Sequence, residues 1–276
     1  MVKINNKKLQ HVCYLMDGTR TYQAFKKTPY EKINEKAYYS GMNKLHNIMN
    51  MSFIDFNIRF LTVNIIGREN VEKRKDSATS IADIFPYFFL TKWKEYLIKN
   101  KVRVRFIGDL DLFCNSATNP DKVRETLNLT EKYTKKFHDH YLILMLAYEP
   151  SYEYLRIIKN NIRAGSKKDL VRKYYGFYVP DVNLIIRTWR PKLSGCVPLF
   201  VSEYADIYFF PAPFMYFNRS TYKIIFEDYL KRIESSNKVP TKLQIKELYN
   251  AQGRLSKKPL PLGELVGGRW FPIYKK

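Results

Sequence analysis

The chain is short of acidic residues, of cysteine and of long apolar runs, and each shortage excludes something. Its 276 residues carry 26 Asp and Glu against 48 Lys and Arg, a formal net charge of +22. That surplus points to anionic partners (nucleic acid, an acidic membrane surface, phosphorylated substrates) without choosing among them. The three cysteines, Cys13, Cys114 and Cys196, lie far apart. An odd count with no CxxC pair excludes a disulfide framework and makes a reducing cytosol the default. The four histidines form no HExxH. His138 and His140, two apart beside Asp139, have poor metal-ligand spacing and read as surface residues. No apolar run approaches the ~18 residues of a membrane span. The first ten residues are polar and basic with no apolar core, so no signal peptide is expected. There is no internal repeat and no low-complexity tract.

What the chain does have is 45% hydrophobic residues, enough for one large folded domain or two small ones. Apolar runs rich in β-branched residues alternate with longer helical patterns. The expected strands are residues 12–16, 60–66, 102–107, 141–147, 184–186 and 206–210. The expected helices are residues 37–51, 81–99, 121–137, 152–162 and 169–174. Strand alternating with helix implies βαβ units, hence an α/β fold with a central, mostly parallel six-stranded sheet flanked by helices. The end of the chain differs. From Lys231 to Lys276 it holds 11 Lys and Arg against three Glu, with several Pro and Gly and one short helical stretch at 242–251. The expected organisation is therefore a domain over residues 1–233 and a basic extension over 234–276 that wraps the domain or stays mobile.

The first apolar run, His11-Val12-Cys13-Tyr14-Leu15-Met16, stops at Asp17-Gly18. In an open α/β sheet, ligands bind outside the carboxyl ends of the strands, beside the start of a helix. Alone, an Asp-Gly after a strand is common and reads first as a plain turn. Other strand ends add to it. The second run ends in Gly67-Arg68-Glu69-Asn70. The fifth ends in Arg187-Thr188 and continues to Lys192 and Ser194. In a parallel sheet these ends meet at one edge and gather a carboxylate, an Asn, an Arg, a Lys and a Ser. That set suits a diphosphate bound through a divalent cation and cationic donors.

At this point the chain resembles the cis-prenyltransferases, the undecaprenyl diphosphate synthase-like enzymes, over about residues 10–233. The segment from His11 to Gly18 resembles the family's H-V-A-x-I-M-D-G. The segment from Leu61 to Asn70 resembles L-T-L-Y-A-F-S-x-E-N, and Val102 to Asp109 resembles V-x-x-x-x-I-G-D. Asp181 to Ser194 resembles D-L-x-I-R-T-x-G-E-x-R-x-S, and Tyr204 to Phe209 resembles A-Y-x-E-L-Y-F. The resemblance implies the cis-prenyltransferase fold, a homodimer and peripheral membrane contact from the cytoplasm. It implies Mg²⁺-dependent condensation of isopentenyl diphosphate with an allylic prenyl diphosphate to a Z-polyprenyl diphosphate. By the same resemblance Asp17 holds Mg²⁺ and is central to catalysis, Asp206 is a second metal carboxylate, and Asn70 serves the condensation step. Gly18 and Arg20 belong to the phosphate loop, and Arg187, Lys192 and Ser194 to the isopentenyl diphosphate site. Ile84, Phe85, Phe88 and Phe89 are candidates to line an apolar product tunnel, or else ordinary core.

The chain departs from the pattern around the phosphate loop. Thr19-Arg20-Thr21 follows Asp17-Gly18 where the family has N-G-R, and Arg20 offers a guanidinium from a shifted position. Gly67 stands for the serine of S-x-E-N, Ala147-Tyr148-Glu149-Pro150-Ser151 for N-Y-G-G-R, and Trp189-Arg190-Pro191 for the stretch with the glutamate. Lys192 replaces an arginine and loses its fork. Tyr38 replaces a histidine and Asn34 an arginine. These losses leave open a non-catalytic partner subunit, which Asp17 argues against, and a same-fold enzyme of irregular prenyl coupling or terpene cyclisation. A basic nucleic-acid-binding protein is the alternative from another class, on charge and 22 Tyr, 18 Phe and three Trp. No nucleic-acid-binding motif supports it.

Overall fold

Six short apolar segments become the six strands of one sheet. The computed structural model describes residues 9–29, 32–236, 242–251, 263–266 and 269–272. The chain runs β1 (His11–Leu15), α1 (Thr19–Phe25), α2 (Ile33–Met49), β2 (Phe60–Gly67), α3 (Arg68–Lys73), α4 (Lys75–Tyr87) and α5 (Lys94–Lys99). It continues through β3 (Val102–Gly108), α6 (Leu110–Asn115), α7 (Pro120–Thr134), β4 (His140–Tyr148), α8 (Pro150–Lys159) and α9 (Lys167–Tyr175). Then come β5 (Leu184–Thr188), β6 (Asp206–Phe210), α10 (Arg219–Ser236), α11 (Lys242–Ala251), β7 (Gly263–Val266) and β8 (Arg269–Pro272). The main sheet has the order β3-β4-β2-β1-β5-β6 and every pairing in it is parallel. The expected α/β class therefore holds, and the sheet is wholly parallel.

Position in the sheet explains the patterning. β1 and β5 are buried throughout, as strands covered on both faces must be. The edge strands alternate: β3 turns Arg103 and Arg105 to a half-exposed face, and β6 alternates half-buried with exposed residues. The free side of β3 is not left open. The Val104 N–H donates to Thr134 Oγ1 at 3.1 Å and the Phe106 N–H to Glu131 Oε1 at 2.8 Å, both acceptors on α7. Side chains of one helix thus satisfy the edge donors that would otherwise invite a foreign strand.

On one face of the sheet, Cys13, Leu15, Ile143 and Met145 pack with Val171, Tyr174 and Tyr175 of α9. On the other, Phe106 meets the aromatic residues of α4 and the turn that follows it. The helix expected over 81–99 is broken. Pro86 lies inside α4, and the chain then makes a π-helical turn, Phe88–Lys92, before α5. Proline lacks the N–H that would bond the turn before it, and the turn after it is widened to i→i−5 bonding, with the Trp93 N–H donating to the Phe88 carbonyl at 2.7 Å. The helix expected over 37–51 begins at Ile33 and also ends in a π-helical turn, Asn50–Asp55. His140 corrects a surface reading. It is half-buried, with Nδ1 2.9 Å from the Ile58 carbonyl and its ring 4.9 Å from Phe53. His138 is exposed as expected.

The chain divides into two compact units, Met1–Arg219 and Ser220–Lys276, so the sequence boundary after residue 233 falls inside α10. The second unit holds α11 where a helix was expected and an antiparallel β7–β8 hairpin that the sequence reading did not include. Of the basic extension, residues 237–241, 252–262, 267, 268 and 273–276 lie outside the described residues.

Candidate active site

Parallel register decides which side chains meet. Leu15 pairs with Asn64 of β2 and with Arg187 of β5, so the carboxyl ends of these three strands share one edge. Asp17 stands just beyond β1 at that edge. Its carboxylate is 40% exposed and has two internal donors. Arg187 Nη2 is 2.7 Å from Oδ2, and the Gly18 N–H donates to Oδ1 at 2.7 Å. The Asp17 backbone is held as firmly. Its N–H donates to Thr188 Oγ1 at 2.9 Å, and its carbonyl accepts from Thr188 Oγ1 at 3.2 Å and from the Phe214 N–H at 3.0 Å.

Arg187 is only 3% exposed, and most of its donors are spent inward. Besides Asp17 it donates to the Arg190 carbonyl at 3.0 Å, Ser194 Oγ at 3.3 Å and the Leu15 carbonyl at 3.5 Å. It acts as the socket of Asp17 more than as an open cation. The open donors around the pair are Arg20, half-buried, and Arg190 and Lys192, both exposed. Gly18 opens α1 at φ +88, and a Cβ there would stand 2.8 Å from the Pro213 Cα. α1 has no acidic residue in its first turn and no side-chain cap, so nothing of that kind opposes an anion at its start.

The loop from β5 to β6 brings the remaining candidates. Trp189 takes φ 68, rare for a bulky side chain, with its N–H held by the Phe210 and Ala212 carbonyls at 2.8 and 3.1 Å. Ser194, exposed, lies beside Arg187. Lys192 reaches toward α3: the carboxyl of Glu69 is held below its ordinary range first by the hydrogen bond and charge of Lys73 and more weakly by Lys192. Asn70, half-buried, sits on the same short helix. The loop is anchored by Cys196, whose Sγ would lie 3.1 Å from a Cβ at Gly67. Burial pushes the Cys196 thiol up to about 11, with Arg187 opposing the shift, so the sulfur is a neutral packing group at pH 7.

The structure thus brings Asp17, Gly18, Arg20, Arg187, Ser194, Lys192 and Asn70 to one edge. It does not bring Asp206 there. Asp206 pairs with Leu184 at the amino end of β6, the opposite edge of the sheet. Parallel strands running the same way cannot place the first residue of one beside the residue that follows the last of another. Among the described residues no three His, Cys, Asp or Glu side chains gather as a metal nest. The aromatic candidates for a tunnel are core. Phe85, Phe88 and Phe89 are fully buried, with rings 5.0 Å from Phe113, 5.1 Å from Trp93 and 5.3 Å from Phe106 in turn.

Beside the Asp17 edge lies a second cluster that sequence reasoning missed. Arg68, just past β2, hydrogen-bonds Asp109, which caps α6. Its Nε is 3.0 Å from Glu72 and 3.8 Å from Glu149, and its guanidinium covers the Tyr152 ring at 4.2 Å. A charged residue directly after each of three consecutive strand ends was the available signal. Behind it, burial raises the carboxyl of Glu153, which accepts from the Tyr174 hydroxyl.

Residues 15–236 match the family described as "Putative undecaprenyl diphosphate synthase". The chain belongs to this family. It is 29% identical over 231 residues to an isoprenyl transferase of Thermotoga maritima, covering 81% of this chain and 94% of that protein. It is 26% identical over 238 residues to a tritrans,polycis-undecaprenyl-diphosphate synthase (geranylgeranyl-diphosphate specific) of Pyrococcus furiosus, covering 81% and 84%. In fold it is similar to lavandulyl diphosphate synthase from Lavandula x intermedia, solved with dimethylallyl diphosphate. That match has a TM-score of 0.65 at 18% identity, over 80% of this chain and 95% of the other. It is similar also to a probable undecaprenyl diphosphate synthase of Campylobacter jejuni, with a TM-score of 0.61 at 24% identity over 85% and 98%. Family and relatives make this undecaprenyl diphosphate synthase-family chain an enzyme of cis-prenyl transfer.

Proposed function

We propose that the chain condenses isopentenyl diphosphate with an allylic prenyl diphosphate, with Mg²⁺, and releases a Z-polyprenyl diphosphate and diphosphate. The observation that carries this is Asp17, half-open at the sheet edge on a buried guanidinium, beside an uncapped helix start. In the reaction the allylic C–O bond breaks, diphosphate leaves, the isopentenyl double bond forms the new C–C bond, and a proton is lost to set the Z double bond. Asp17 fits a Mg²⁺ ion. Each of its oxygens has taken one donor and keeps a lone pair, and Mg²⁺ commonly uses one or two carboxylates and fills its shell with substrate phosphates and water. When bound, Mg²⁺ neutralises charge developing on the departing diphosphate. The chain's own part is to hold Asp17 through Arg187, Thr188 and Gly18, and to present Arg20 and the first N–H groups of α1 to the allylic diphosphate. Lys192 and Ser194, with Arg190 nearby, receive isopentenyl diphosphate, and Asn70 lies on the α3 side of the same edge.

Two copies acting together complete this reading. Asp206 serves a metal only from a second chain, since its own Asp17 is at the other edge. β6 is an edge strand whose Ile207 and Phe209 are 39% and 43% exposed, an apolar surface for such pairing. The three cysteines are free and buried, which fits a reducing cytoplasm. Among the described residues no helix is long and apolar enough to cross a membrane, and contact with lipid is peripheral in this reading. A second reading, one coupling to a short product, is favoured by the rings of Phe85, Phe88 and Phe89, which fill the space between α4 and β3. The test is purified chain with Mg²⁺, labelled isopentenyl diphosphate and C10, C15 and C20 allylic primers, with products weighed by mass spectrometry. A ladder of five-carbon additions supports extension, a single adduct supports the short product, and no product from any primer overturns both.

A further inference from the structure

Helix α3 is six residues long, and a helix of that length does not hold itself together in water. Its cap adds nothing, since Gly67 offers no side chain to the first turn. Two side chains of different kinds anchor it. Val71 is buried, and Arg68, the first residue, spans neighbouring strand ends. Arg68 follows β2 directly, Asp109 follows β3 and Glu149 follows β4. The hydrogen bond to Asp109 and the approach to Glu149 therefore tie α3 across the sheet order β3-β4-β2. The anchor itself is firm. The Asp109 side chain is 11% exposed, its Oδ1 accepts the Leu112 N–H at 3.1 Å, and its own N–H donates to the Ala147 carbonyl at 3.3 Å. One guanidinium serves Asp109 through Nη1 and Glu72 through Nε while lying over the Tyr152 ring, which a lysine ammonium cannot reproduce.

Asn70 depends on that anchor. Its side chain makes no hydrogen bond to another described residue, and its amide nitrogen lies 3.7 Å from the Cβ position of Gly67. The backbone of α3 alone therefore sets where the amide stands. We propose that Arg68 is a positioning residue: by clamping α3 to the ends of β3 and β4, it holds the Asn70 amide in the place the condensation requires. Carboxylates and a ring occupy the guanidinium, so it acts through α3 and not on the substrate. The catalytic half of this inference rests on the condensation proposed above. The clamp rests on the geometry of α3 alone.

Two measurements on the full chain separate the halves. The first, amide hydrogen exchange without substrate, needs no activity. Arg68→Gln should speed exchange at residues 72–74 by about tenfold or more, with β1 and β4 unchanged. The second is steady-state prenyl transfer with Mg²⁺. Arg68→Gln should lower kcat by about 10–100-fold and leave KM for the allylic primer within about twofold. Arg68→Lys, which keeps the charge and loses the fork, should fall between. In an Asn70→Ala background, Arg68→Gln should cost less than about twofold more, because the amide it positions is already gone. Arg124→Gln breaks an exposed pair with Asp111, 2.5 Å apart, and should match wild type in both measurements. Unchanged exchange in Arg68→Gln overturns the clamp. Faster exchange with an equal loss of kcat in the presence and absence of Asn70 overturns the positioning role. A wild type that makes no product from any primer overturns the condensation and the role of Asn70 with it, while exchange still decides the clamp. If Arg68→Gln does not fold, Arg68→Lys carries the same comparisons.

Discussion

Arg187 Nη2 stands 2.7 Å from Asp17 Oδ2, with the guanidinium buried and the carboxylate half-open. The pair joins stability to chemistry, because the exposed member is the candidate metal ligand and the buried member depends on it for charge. Asp17→Ala leaves a buried cation without its carboxylate and should cost about 2 kcal/mol of stability in urea unfolding. Asp17→Asn keeps an acceptor for Arg187 and should lose less than half of that. Both should reduce Mg²⁺-dependent product formation on the order of 10³-fold, since neither leaves an anionic ligand. An Asn variant that retained wild-type turnover would remove Asp17 from the chemistry.

Gly67 and Cys196 form the second pair with a definite expectation. The backbone at Gly67 is extended, so a side chain there meets no conformational penalty. It meets the Cys196 sulfur, 3.1 Å from the Cβ position. Gly67→Ser, which restores the family's usual residue, should therefore destabilise by about 1–3 kcal/mol and raise KM for isopentenyl diphosphate, because Cys196 anchors the loop carrying Lys192 and Ser194. In a Cys196→Ala background the same substitution should cause little further loss of either. Equal effects with and without Cys196 would show that the contact is not the cause.

The strands were legible because buried parallel strands are near-continuous apolar runs, and β1, β2 and β4 are such runs. That Asp17 and Arg187 share one edge was legible from the ends of parallel strands, but their direct pairing, between residues 170 apart, was not. The break at Pro86 was visible as a residue but not as a π-helical turn, whose form depends on packing of the rings around it. The cluster of Arg68, Asp109 and Glu149 depends on the β3-β4-β2 order, which no local pattern encodes. The direction of α8 was illegible for a similar reason. Its apolar residues cover two faces, and the one that turns inward includes Glu153, which a hydrophobic pattern would place outside.

Gly18 sets the geometry of the Asp17 carboxylate from below. Its φ of +88 is costly for any residue with a Cβ, and that Cβ would fall 2.8 Å from the Pro213 Cα. Neither can be relieved by turning a side chain, because the obstacle is backbone. Gly18→Ala should lower kcat by about 10²-fold through displacement of Asp17, whose Oδ1 accepts the Gly18 N–H. The melting temperature should fall as well, and a variant with unchanged kcat would show that the carboxylate tolerates the shift.

His11 makes folding sensitive to mild acid. It is fully buried, with Nδ1 2.8 Å from the Pro180 carbonyl and Nε2 2.7 Å from Thr62 Oγ1. A carbonyl only accepts, so Nδ1 carries the proton and Nε2 accepts from the Thr62 hydroxyl. Burial lowers the ring to about 4 from an ordinary 6.5, with the Pro180 carbonyl opposing the shift. The unfolded chain therefore binds the proton first as pH falls. The stability that neutral His11 contributes is complete above pH 6.5 and drains away as pH falls toward 4, a loss of about 3 kcal/mol. Glu153, whose carboxyl burial raises, titrates in the opposite sense, so the comparison must be between chains and not between pH values alone. His11→Gln should be less stable than wild type at pH 7 and should lose less stability between pH 7 and 4, read as urea midpoints at each pH. Parallel pH profiles for the two chains would place the acid sensitivity elsewhere.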